Sequence, residues 1–176
     1  FRSVAGLLSM EVMPFVEVNG EKAYHFRVTA KSSDFFNRIY AVDDMAETYL
    51  NYENMLPYNL SVKVKESKQL KEIRSFLDWN TLQGSYWEKK VTKEKGEESK
   101  KIEWDILPYT QNVISAAYYM RAFKWELGKK IQFRVADQGD NIVFKGEAIR
   151  AEKLKTDAGT FDTLVIKPEF EVKGVF

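Results

Sequence analysis

Period-two alternation of apolar and polar residues runs through most of the chain and predicts strands. Leu8, Met10 and Val12 alternate with Ser9 and Glu11, and Phe15–Val18 runs into Asn19-Gly20. That dipeptide is a strong hairpin signal, because both residues accept positive φ. The return strand sets Tyr24, Phe26, Val28 and Ala30 on one face and His25, Arg27, Thr29 and Lys31 on the other. Ser32-Ser33-Asp34 can cap a short helical turn over residues 33–39. Further strands are predicted near Val42–Leu50, Tyr58–Lys65, Leu70–Trp79, Leu82–Val91 and Lys100–Leu107. The mixed-charge stretch Lys93–Lys101 between the last two reads as a solvated hairpin tip.

The pattern changes once. Residues 112–122 predict the only substantial helix, with Val113, Ile114, Ala116, Ala117, Tyr118, Tyr119 and Met120 spread almost all the way round it. Such a helix needs cover on most sides. Strands resume near Ile131–Ala136, Ile142–Lys155 and Thr163–Lys167, with turns at Gln138-Gly139-Asp140 and Ala158-Gly159. Gly159 is expected at positive φ in a tight turn. The fold expected is mainly β. It is an antiparallel meander forming a strongly curved sheet or partly closed barrel around the buried helix, in a single domain over residues 1–176.

Composition narrows the chemistry. The chain has no cysteine and one histidine, which removes a thiol nucleophile, a zinc cluster and any choice of histidine base. Its 27 basic and 26 acidic residues give a net charge of +1, which supplies no field for steering nucleic acid. No apolar run approaches the roughly 20 residues that span a bilayer. Phe1-Arg2-Ser3-Val4 does not read as a signal peptide, and both ends of the chain read as cut.

Individual motifs favour structure over catalysis. His25 lies on the polar face of its strand beside Lys22, Arg27 and Lys31, and is expected to be exposed. Asp137–Asn141 lacks the ligand alternation of a calcium loop and reads as a turn. Gly84-Ser85 lacks the glycine pattern of a nucleophile elbow. Asp43 and Asp44 point to opposite faces of a strand and so do not share a metal ion easily. Arg121 ends the apolar helix and is expected to pair with Asp43 or Asp44, the other option being contact with an anion or headgroup. Aromatic residues make up 14% of the chain and crowd its middle. Most suit a β core, and Trp87, Trp104, Tyr118, Tyr119 and Arg121 are the candidate ligand or partner contacts. No cofactor is expected.

Several segments then line up with one family. They are Asn19–His25, Phe35-Phe36 followed by Val42-Asp43-Asp44, Leu56-Pro57, and the helix Val113–Arg121, with Ser115 in its centre. Glu152–Thr156, Gly159-Thr160-Phe161-Asp162-Thr163 and Pro168 complete the set. The chain resembles the bacterial family called domain of unknown function 3108. The resemblance implies an exported periplasmic or cell-envelope protein, mainly β, with no assigned activity and with further strand segments at both ends. The expectation is a non-catalytic envelope binding module for a lipid-like ligand or an envelope protein partner. The alternatives are a structural or assembly protein without a pocket and, third, a polysaccharide hydrolase with paired cleft carboxylates.

Overall fold

The computed structural model describes residues 4–173. Seven strands follow one another as a meander: β1 (Gly6–Val18), β2 (Glu21–Ser32), β3 (Asp43–Asn51), β4 (Pro57–Glu66), β5 (Gln69–Asp78), β6 (Gln83–Thr92) and β7 (Gly96–Asp105). The single turn of helix α1 (Asp34–Asn37) joins β2 to β3, with Ser33 in the N-cap position but its side chain making no capping bond. The strands pair antiparallel in sequence order, so β1 and β7 are the two edges. No closed barrel forms among the described residues.

After β7 come β8 (Thr110–Gln111), helix α2 (Val113–Ala122), β9 (Lys130–Asp137), β10 (Asp140–Thr156) and β11 (Gly159–Lys173). They build a second sheet in the order β11-β10-β9-β8, antiparallel except for the parallel β8–β9 pair.

Local chemistry explains the turns. Asn19 and Gly20 sit at φ 54° and 81°, and Gln138 and Gly139 at 51° and 99°, the left-handed pairs that match the twist of a two-residue hairpin. Gly159 has φ 137°, as its turn requires. On β1 the register slips by one residue between Met13 and Val16, around Pro14. An edge strand tolerates that proline, and the bulge changes which parity of residues faces the helix. Leu8, Met10 and Val12 precede the bulge opposite Ala30, Val28 and Phe26, and after it Phe15 packs against Tyr24 on the same face.

Helix α2 packs against both sheets. Ile114 and Tyr118 meet Phe26 and Leu50 of the first sheet, with the Tyr118 and Phe26 rings stacked at 3.7 Å between centroids. Ala116, Tyr119 and Met120 meet Phe133, Val135 and Phe144 of the second. A third cluster, Leu77, Ile106 and Ala136 with Trp104, joins the sheets directly. The expected cover on most sides is not observed: only Ser115 and Tyr118 of the helix are buried, because each sheet takes one stripe and leaves Val113, Arg121 and Ala122 outside.

Candidate functional site

Asn112 positions the helix. Its side-chain oxygen accepts from the Ile114 and Ser115 amides at 3.1 and 2.8 Å, and the Ser115 hydroxyl accepts from the Asn112 amide at 2.9 Å. This is a reciprocal capping arrangement. The same Asn112 side chain donates to the Thr48 hydroxyl and the Asn59 carbonyl, at 2.8 and 3.1 Å, tying the helix start to β3 and β4. At the other end the Tyr118 hydroxyl donates to the Glu11 carbonyl of β1 at 3.2 Å. The helix therefore crosses from β4 toward β1.

That placement leaves a groove along the helix. Val113, Ala116, Ala117 and Met120 lie at i, i+3, i+4 and i+7, one stripe of a helix. Facing them are Phe133 and Val135 of β9, Phe144 of β10, and Ile166, Pro168 and Phe170 of β11. The groove holds about 430 Å³ and none of these ten lining residues carries a polar side chain. That volume falls within the range of small-molecule sites, about 300–1,000 Å³. Two alanines on the helix keep it open, while Phe170 and Val113 at its mouth are 65% and 44% exposed. The sheet behind it is amphipathic: on its outer face Lys130 pairs with Glu147 at 3.6 Å, Lys167 with Glu169 at 3.4 Å, and Lys145 with Glu171. No carboxylate lines the groove, so the paired acids that the polysaccharide-hydrolase alternative requires are not found in it.

The titratable cluster nearest to enzymic geometry lies elsewhere. His25 Nε2 is 3.0 Å from Glu47 Oε1, and Arg27 donates to the same oxygen at 2.9 Å. Burial pushes the Glu47 carboxyl up, but hydrogen bonds and charge from Arg27 and His25 outweigh it and hold it below its ordinary value. His25 is only 8% exposed, which corrects the expectation of a solvent-facing histidine. Alternation placed it on the right face, but its cross-strand neighbours there are Met13 and Tyr49, which cover it. The cluster cross-links β2 and β3, and no group of three or more potential metal ligands occurs among the described residues.

Arg121 also departs from expectation. It is exposed, Asp43 pairs with Lys31 at 3.3 Å, and Asp44 accepts from the Lys65 amide at 3.0 Å. The helix crosses β3 near Thr48 and Leu50, whereas the two aspartates begin that strand. At about 3.3 Å per residue, Asp44 is roughly 13 Å short of Thr48. The remaining candidates are scattered. Trp87 faces Arg74 across the outer side of the first sheet, and Trp104 packs over Gly84, where a Cβ would meet its ring at 2.7 Å. Tyr118 is committed to Phe26, and Tyr119 meets Phe123 and Phe133 edge-on. None of these five residues lines the groove. Its own residues gave one signal in the sequence, the 113/116/117/120 stripe, hidden by the apolar residues around it.

No helix among the described residues is long and apolar enough to cross a membrane. No curated protein and no solved structure matches the chain. The family model described as "Protein of unknown function (DUF3108)" matches residues 3–176, nearly the whole chain. This alignment places the mainly β chain in the DUF3108 family.

Proposed function

We propose that the protein is a non-catalytic binding module of the cell envelope, which takes the apolar portion of an amphiphilic ligand into the groove between α2 and β9–β11. The observation that carries this reading is the uniformly apolar lining of a groove of about 430 Å³ that opens to solvent beside Phe170. Each methylene moved from water into such a lining gains up to about 0.8 kcal/mol, so a short alkyl chain has enough driving force to bind. The half-open geometry leaves a polar head in water, which suits an amphiphile better than a wholly apolar molecule. The envelope location rests on the family resemblance of the sequence.

The test is displacement of 1-anilinonaphthalene-8-sulfonate by 1-dodecanol. Val113→Gln adds a polar amide to the mouth of the groove at a half-exposed position, where folding is little affected. Dodecanol binding should weaken by about tenfold, equivalent to about 1.4 kcal/mol. Equal affinity of the variant and the parent protein would remove the groove as the binding site.

A further inference from the structure

At one end of the first sheet the β1–β2 hairpin and the turn after β3 bring three aromatic rings together. Phe15 and Tyr52 stand almost at right angles, 82°, with centroids 5.3 Å apart. Tyr24 backs the pair, 5.4 Å from Phe15 and stacked on both Tyr52 at 5.1 Å and Phe26 at 5.7 Å. The Lys22 ammonium sits in the corner, 4.0 Å from both the Phe15 and the Tyr52 centroid. Lys22 has Glu17 directly opposite it in the β1–β2 register. Even so, Lys22 forms no ion pair within 4.0 Å among the described residues, and its charge rests on the rings.

We infer that the Phe15–Tyr52 corner, backed by Tyr24, is a binding site for a quaternary ammonium group, held in this structure by the protein's own Lys22 ammonium. Ring faces attract cations through their quadrupole, and cages of aromatic rings are the usual receptors for quaternary ammonium. A primary ammonium is a compact, strongly hydrated charge and loses much hydration when it moves onto rings. A quaternary ammonium carries the same charge on a larger, apolar surface and makes that move more cheaply. Lys22 is exposed and sits on a flexible stem, so it can swing into solvent and vacate the corner. Glu17, opposite Lys22 in register, supplies a counter-charge on that side of the hairpin. None of these residues lines the groove along α2, so the two sites stand or fall separately.

The experiment is titration of the folded chain with choline chloride, followed by tyrosine ring resonances. Lys22→Met removes the resident cation and keeps the stem, and should tighten choline binding about fivefold or more. In that background Tyr52→Phe should keep the affinity, while Tyr52→Leu should lose most of it, about tenfold. Thermal melts of each variant confirm that the sheet is intact. Lys22→Met binding choline no more tightly than the parent, or folded Tyr52→Leu binding as well as Tyr52→Phe, would overturn the assignment. Vesicles of pure phosphatidylcholine that sediment the protein, where phosphatidylglycerol vesicles do not, identify a lipid headgroup as the source. Binding of choline without such sedimentation identifies a free solute. Dodecanol carries no ammonium, so the groove assay is independent of this result.

Discussion

Replacing Asn112 with alanine should be among the most costly single changes in the protein. Asn112 is 3% exposed, and its partners Thr48 and Ser115 are fully buried. The change removes two capping bonds to the Ile114 and Ser115 amides and two links to β3 and β4. Loss of an N-cap costs about 1 kcal/mol, and a buried amide left without a partner adds about 1–3 kcal/mol. The Asn59 carbonyl is not stranded, because the Thr48 hydroxyl still donates to it, so that side adds little. The total is about 2–4 kcal/mol, a large share of the roughly 5–15 kcal/mol that holds a domain folded. Asn112→Asp should be no better. Its carboxylate can still cap the helix, but it lacks the donor and places a buried charge beside the Asn59 carbonyl oxygen. Equilibrium unfolding in urea, followed by tryptophan fluorescence, gives both values. An Asn112→Ala loss below about 0.5 kcal/mol, the level of an ordinary surface change, would refute the claim that this residue anchors the helix to the sheet.

Two further outcomes follow from packing and charge. Gly84→Ala puts a methyl group 2.7 Å from the Trp104 ring, and should destabilise by about 1–3 kcal/mol in the same urea assay; an unchanged midpoint would show that Trp104 moves aside freely. Because the folded-state pKa of Glu47 is lowered, its stabilising contribution is present above the ordinary carboxyl range and is lost as pH falls through the folded value. The urea midpoint should therefore hold between neutral pH and the ordinary carboxyl value of 4.5 as far as Glu47 is concerned, and decline below it, and Glu47→Gln should flatten part of that acid decline; identical slopes in both proteins would contradict the role given to the cluster.

Hairpins and helix were legible where a local cause acts. Asn19-Gly20 and Gly159 define turns through their own backbone preferences, and the Tyr24–Ala30 alternation sets the correct faces. The helix at Val113–Ala122 includes both Ser115 and Arg121, as its spacing predicts. Edges were less legible. The strand read as Thr163–Lys167 extends over Gly159–Lys173, because Pro168 is tolerated on the edge strand β11. The charged stretch read as a hairpin tip turns only at Lys93–Lys95, and from Gly96 on it forms the edge strand β7, where charges discourage pairing with another chain. Arg121 and His25 were misjudged for a shared reason: which strand position a helix crosses, and what flanks a residue across a sheet, are set by register and not by spacing along the chain. The groove was hidden because its walls come from α2 and from strands up to 57 residues further on, from Val113 to Phe170.

In the proposed complex an alkyl chain lies along α2 against β11. The most direct measurement is intermolecular nuclear Overhauser contact between bound 1-dodecanol and methyl-labelled protein. Contacts should run from the dodecanol methylenes to Val113, Ala117 and Ile166, all in the groove lining. Contacts confined to other exposed apolar residues, such as Leu8 and Val12 on β1, or their absence at a concentration that saturates displacement, would contradict it.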